Sequence, residues 1–262
     1  MNMCGRKNNK AECMKKAQVN KTIDTRDEGV TSHSCLPQQA DAQRVPRASC
    51  LSHPSCLLPE IKTIIFDWGG VLIDTPGAGI VSHCSRTIGV SPQAFVEAYK
   101  LVEFDFYRGT ITEPQLWQRI CGMAGVNVPQ QCLDETKSVW FDAFEGSYRP
   151  RGEMFELVGQ LKAEGYKVGL LSNTEMPSLT FFEQDIYRNF DFSVFSCVEG
   201  LAKPGAEIYH LAARRAQCPA SQCVFIDDRK ENIDAADAAG MKGVHFVDLN
   251  SLKQELAEME II

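Results

Sequence analysis

The sequence predicts an α/β fold: a Rossmann-like parallel sheet with helices on both faces, and a small helical cap inserted after the first strand. Three observations predict it. Short runs of strand-forming residues at 64–66, 167–171, 192–197, 223–226 and 243–247 are spaced by stretches with helical periodicity. From Pro150 onward strand and helix alternate, which is the signature of a parallel sheet. Residues 91–146, by contrast, carry helical periodicity with no strand pattern.

The first strand is Ile64, Ile65 and Phe66, a continuous apolar run ending on Asp67 and turning through Trp68, Gly69 and Gly70. Such a run reads as a strand buried on both faces. Residues 76–90 read as a loop and a poorly defined helix. Phe95, Tyr99, Val102 and Phe106 then lie on one helical face, and Leu116, Trp117, Ile120, Cys121 and Ala124 on another. Thr112 with Gln115 three residues on fits a capping box. Trp140, Ala143 and Phe144 mark a third helix.

In the second half, Met154, Leu157, Val158 and Leu161 mark a helix ending near Gly165. The strand from Lys167 ends at Ser172-Asn173-Thr174, and a helix is expected from there to about Asn189. The strand Phe192 to Cys197 leads to Lys203-Pro204, with Pro204 expected just inside the next helix. Ile208, Leu211, Ala212 and Ala216 give that helix its buried face. The strand Cys223 to Ile226 ends on Asp227-Asp228, and a helix follows to Gly240. This places the core at residues 61–75 and 150–262 and the cap at 76–149.

Composition narrows the function. The chain has 262 residues and a net charge of −7, so it shows no basic footprint for nucleic acid. No apolar run approaches the roughly 20 residues of a membrane helix. Eleven cysteines without a CxxC pair argue for free thiols in a reducing compartment, which points to the cytoplasm. Residues 1–60 have no aromatic residue and a small excess of basic over acidic side chains. They are expected to form a disordered extension, in preference to a targeting peptide or an interaction tail.

Four strand ends offer polar groups: Asp67, Ser172, Lys203 just beyond a strand, and Asp227-Asp228. Parallel strands share a direction, so these groups converge on one edge of the sheet, where open α/β sheets bind ligands. Their types make sense together. A carboxylate and a phosphoryl group repel each other, and a magnesium ion held by Asp67, Asp228 and Asp227 would neutralise that repulsion. A lysine and a serine hydroxyl would stabilise charge on the transferring oxygens.

In these stretches, IIFDWGGVL, GLLSNT, GLAKPGAEIY and VFIDDRKENIDAADAAGM, the chain resembles the haloacid dehalogenase superfamily over residues 61 to about 248. The resemblance implies an aspartyl-phosphate on the nucleophile Asp67. It implies that Ser172 and the backbone at Asn173 hold the phosphate and that Lys203 steadies it. Asp228, assisted by Asp227, the Gly69 carbonyl and Asp67, would bind magnesium. The substrate would be a small phosphorylated metabolite, chosen by the cap.

One position departs from the family. Most of its phosphatases carry a second aspartate two residues after the nucleophile, as the general acid/base, and this chain has Gly69 there. The departure is similar to members related to α-D-glucose-1-phosphate phosphatase. Without that acid the sequence predicts a preference for anomeric sugar phosphates and aryl esters over primary alkyl phosphates. Phosphonoacetaldehyde hydrolases have a comparable first motif but need a Schiff-base lysine in the cap, for which Lys100 is the candidate. A metal-free dehalogenase and a binding protein that retained the fold are the competing classes.

Overall fold

The computed structural model describes residues 60–262, so the extension expected at residues 1–60 lies outside the described residues apart from Glu60. Five parallel strands form one sheet in the order β3-β2-β1-β4-β5. They are β1 (Thr63–Phe66), β2 (Lys167–Ser172), β3 (Phe192–Phe195), β4 (Cys223–Asp227) and β5 (Lys242–His245). Side chains alternate across a strand, and β1 shows why its run is wholly apolar. Ile64 and Phe66 join a core with Leu157, Val158, Leu161, Leu252 and Leu256. Ile65 joins a second core on the opposite face with Ile208, Leu211, Ala212, Ile233 and Ala236.

Between β1 and the helix that precedes β2 the regular elements are helices, as the periodicity predicts. They are α1 (Gly77–Ile88), α2 (Pro92–Lys100), α3 (Glu103–Tyr107), α4 (Glu113–Ala124), α5 (Gln130–Leu133) and α6 (Val139–Ser147). The capping box at Thr112 forms: the Gln115 N–H donates to Thr112 Oγ1 and the Thr112 N–H to Gln115 Oε1 at 2.8 Å. Glu113 ties the insert together, accepting from Trp117 Nε1, Ser138 Oγ and the Trp140 N–H. The remaining helices are α7 (Gly152–Ala163), α8 (Ser196–Glu199), α9 (Ala206–Ala216), α10 (Lys230–Ala238) and α11 (Leu249–Glu258). No helix among the described residues is long and apolar enough to cross a membrane.

Several boundaries differ from expectation. Residues 76–90 form a regular helix, α1, closed by Gly89 at φ 73°. The stripe from Phe95 to Phe106 is two helices, because the chain turns at Leu101 and Val102 and returns Phe106 to the same core. Between Ser172 and Asn189 there is no α-helix; Met176–Glu183 and Asp185–Tyr187 are 3-10 turns that wrap Phe181 and Phe182 around Trp68. The third strand stops at Phe195, and the next four residues make one helical turn closed by Gly200 at φ 72°. Pro204 lies outside α9, whose N-cap is Gly205, and follows a cis peptide bond from Lys203. The last strand is Lys242–His245, and α11, capped by Asp248 on the Ser251 N–H, completes the chain.

Candidate active site

Asp67 continues β1 by one residue, and its N–H donates to the Ile226 carbonyl at 2.8 Å. That bond holds it beside the end of β4, where Asp227 and Asp228 emerge. The Lys203 ammonium fills the gap. Its Nζ lies 2.8 Å from Asp67 Oδ1, 2.6 Å from Asp227 Oδ2 and 3.2 Å from the Leu171 carbonyl oxygen. Three donors meet three acceptors, so this buried cation is fully satisfied. Burial would lower its proton affinity, but the Asp227 and Asp67 carboxylates outweigh it and hold the ammonium charged. Burial pushes the Asp67 carboxyl up to about 7, and Asp227 adds to this while Lys203 opposes it.

Asn173 explains how Lys203 keeps its place. Its side chain donates to the Lys203 carbonyl and accepts from the Lys203 N–H, both at 2.9 Å. The Asn173 side-chain amide is thus a brace between the end of β2 and the loop that carries Lys203. Ser172 ends β2 and is buried at the same edge.

Asp227 is saturated. Oδ1 accepts from the Arg229 N–H and Asn232 Nδ2, and Oδ2 from Lys203 Nζ and Asn232 Nδ2. A carboxylate offers about four lone-pair sites, and all are in use. Asp228 is different: its carboxylate makes no such set of bonds, and burial followed by the charge of Asp227 raises its carboxyl. Its main chain is held by β5, with His245 Nε2 3.0 Å from the Asp228 carbonyl oxygen, a contact that requires the Nε2–H tautomer.

One carboxylate oxygen from each of Asp67, Asp227 and Asp228 lies within 4.8 Å of the others. Hard oxygens around one cationic lysine leave excess negative charge, and that donor set fits a small divalent cation. Since Asp227 is engaged, the free lone pairs are on Asp67 and Asp228.

The glycine pair divides into two roles. Gly70 has φ 87°, and a Cβ there would lie 2.2 Å from Asp228 Oδ2. Gly70→Ala is therefore expected to displace Asp228 and to cost about 1–3 kcal/mol in backbone strain, read as a lower melting temperature. A Cβ at Gly69 would meet only Pro76 Cδ, at 3.9 Å. Space does not require glycine there, so its consequence is chemical.

Trp68 joins this loop to the helical insert. Its ring stacks on Phe144 of α6 at 4.9 Å and contacts Phe182, and its Nε1–H donates to Tyr187 Oη at 2.7 Å. Arg151 adds a second tie, donating to the Gly70 carbonyl at 2.8 Å and to Asp74 Oδ1 at 2.9 Å. Lys100, the candidate for a Schiff base, is exposed at the end of α2, and the buried amine of the site is Lys203. Sequence reasoning missed Asn232, His245, Arg151 and Glu175. Asn232 was findable, since it follows Asp227 by five residues at the start of a helix.

A family model described as haloacid dehalogenase-like hydrolase matches residues 61–240. A sesquiterpene phosphatase of Aspergillus oryzae is 28% identical over 200 residues, covering 76% of this chain and 96% of its own. A phosphorylated carbohydrates phosphatase of Thermotoga maritima is 26% identical over 221 residues, covering 76% of this chain and 91% of its own. Among solved structures, the magnesium complex of a HAD family enzyme of Bacteroides thetaiotaomicron superposes with a TM-score of 0.61 at 22% identity, covering 75% of this chain and all of the other. With the family model spanning more than half of its length, the chain belongs to the haloacid dehalogenase-like hydrolases.

Proposed function

We propose that this hydrolase is a magnesium-dependent phosphatase of a small phosphorylated metabolite, with a sugar phosphate as the favoured class. One observation carries the reading: a buried carboxylate, Asp67, is held against a fixed ammonium while Asp228 keeps free lone pairs beside it. The two similar phosphatases act, by their names, on a phosphorylated carbohydrate and on a sesquiterpene, both small organic molecules.

In this reading Asp67, Asp228 and the Gly69 carbonyl hold the ion. Magnesium, when bound, offsets the charge between nucleophile and phosphoryl group. Lys203 adds a second positive charge that is already in place before substrate arrives. Asp227 acts through Lys203, which it orients. Asp67 attacks phosphorus; Ser172 and the Asn173 backbone hold the phosphoryl oxygens; water then releases phosphate from the aspartyl-phosphate. The insert at residues 76–149 acts as the cap, and Trp68, stacked on Phe144, anchors it to the nucleophile loop, while Arg151 steadies that loop from the core side.

The dehalogenase alternative has less support, because metal-free displacement of halide does not call for the three-carboxylate cation site that Asp67, Asp227 and Asp228 form. The test is release of nitrophenolate from p-nitrophenyl phosphate. EDTA is expected to abolish it and excess magnesium to restore it. Hydrolysis unaffected by EDTA, or halide release from a 2-haloacid without phosphate release, overturns the reading.

A further inference from the structure

Among the described residues three acids are buried: Asp67, Asp227 and Glu175. The first two share Lys203. Glu175 has no ion-pair partner among the described residues. A buried carboxylate without a cation is costly, and such groups cluster at functional sites.

Its position is well defined. Glu175 lies three residues beyond Ser172, at the sheet edge that carries Asp67. The loop leading to it is braced twice. Asn173 is bonded to the Lys203 backbone, and Thr174 donates its N–H to Ser196 Oγ at 3.0 Å while its carbonyl accepts from the same hydroxyl at 3.2 Å. Ser178 Oγ donates to Glu175 Oε2 at 3.3 Å. From the insert, Tyr99 and Trp140 approach the carboxyl and favour its ionised form, yet Tyr99 Oη and Trp140 Nε1 are buried without a completed hydrogen bond. Tyr107 of α3 feels both Glu175 and Arg229, the neighbour of Asp228. The Glu175 loop follows β2 and the Asp228 loop follows β4, and β1, which Asp67 continues, lies between those two strands.

We propose that Glu175 is the general acid and base of this site, supplying the proton transfer that Gly69 cannot. The proposal rests on the phosphatase reading and deepens it. In the first step an Asp67 carboxylate oxygen bonds to phosphorus. The bond from phosphorus to the ester oxygen breaks with its electron pair, and that oxygen takes the proton of the Glu175 carboxyl and leaves as an alcohol. In the second step water bonds to phosphorus and passes a proton to the Glu175 carboxylate. The bond from phosphorus to Asp67 breaks with its pair, restoring both carboxyl groups. Ester and water enter; alcohol and phosphate leave.

The electrostatics suit the task. Burial lifts the Glu175 carboxyl to about 7, with its own backbone, the Ser178 hydroxyl and the nearby polar groups of Trp140 and Tyr99 opposing the rise. The titratable groups that face it are Cys84 of α1, Tyr99 of α2 and Tyr107 of α3, and burial raises each of them above its ordinary range. Glu175 is therefore the member of this cluster that changes protonation near neutral pH, where a general acid is most effective.

The test compares wild type with Glu175→Gln, in magnesium, under single-turnover conditions. Glycerol phosphate has a poor leaving group and p-nitrophenyl phosphate a good one. The variant is expected to lose about 10²–10⁴-fold on glycerol phosphate. Its first burst of nitrophenolate should be nearly unchanged, followed by accumulation of phosphorylated Asp67. In wild type the glycerol phosphate rate should fall as pH rises through about 7, and E175Q should lack that limb. Adding Gly69→Asp to E175Q should recover part of the glycerol phosphate rate, since a Cβ at Gly69 meets only Pro76 Cδ, at 3.9 Å. Independently of metal and substrate, in an Asp67→Asn background that removes the other carboxyl raised to about 7, tryptophan fluorescence should titrate near pH 7 with Glu175 present and not with E175Q, because Trp140 adjoins the carboxyl. If E175Q does not fold, Glu175→Asp keeps a carboxyl and should keep the pH limb. A wild type inactive on both esters overturns the phosphatase reading and this proposal with it. An active wild type in which E175Q slows both esters equally, or in which E175D has no limb, overturns the role of Glu175 alone.

Discussion

Asp67→Asn is expected to reduce phosphate release by on the order of 10⁴-fold or more, the scale on which loss of a nucleophile acts elsewhere. An amide oxygen carries no negative charge to share with phosphorus, and an acyl-phosphate cannot form on it. The substitution is nearly isosteric, so the fold should survive. The Lys203 ammonium retains Asp227 and the Leu171 carbonyl as acceptors. The measurement is twofold: steady-state phosphate release, and intact mass after acid quenching in the presence of substrate. Wild type should show a phosphorylated fraction and the variant none. Activity within tenfold of wild type would mean that another group attacks phosphorus.

Lys203→Met should act on stability as well as on rate. The ammonium is buried between two carboxylates, and methionine keeps the stem while removing the charge. Breaking a buried ion pair by deleting one partner costs about 3–5 kcal/mol, because the remaining charge is left uncompensated. For a domain of this size that corresponds to a fall in melting temperature of roughly 10 °C. The pH dependence has a definite sign. The folded-state proton affinity of Lys203 lies above its unfolded value of 10.5, so its stabilisation is complete below that pH and is lost only as pH rises through the folded value. Wild type should therefore show no loss from this group between pH 6 and 9. In the variant the two carboxylates face each other, and protonating one relieves the repulsion. The deficit relative to wild type should shrink as pH falls through the carboxylate range. A variant that melts with wild type at pH 8 would show that the ion pair adds nothing net.

The alternation of strands and helices was legible because periodicity is a property of consecutive residues. A strand buried on both faces must be apolar at every position, as Ile64, Ile65 and Phe66 are, and a parallel sheet must bring successive strand ends to one edge. Those two facts alone were enough to bring Asp67, Lys203, Asp227 and Asp228 together from stretches as much as 161 residues apart. Where helix and turn share the same spacing of apolar residues, the sequence is ambiguous. The stripe from Phe95 to Phe106 looks continuous although the chain breaks at Leu101, because both helices face one core.

The division of labour within the site was decided by tertiary packing. The tasks of Asn173 and Asp227 are visible only when their partners are placed: the Asn173 side chain braces Lys203, and the Asp227 lone pairs are taken by Arg229, Asn232 and Lys203. Gly69 and Gly70 are alike as letters, but only Gly70 has a carboxylate oxygen where its Cβ would be. Glu175 shows the difference most plainly. In the sequence it is one acid at the start of an expected helix, and an acid in a first helical turn is ordinarily solvated. Its burial against Tyr99, Trp140 and Tyr107 comes from residues 35 to 76 positions away, docked over the end of β2. Desolvation depends on everything that surrounds a group in space, and local sequence carries no record of it.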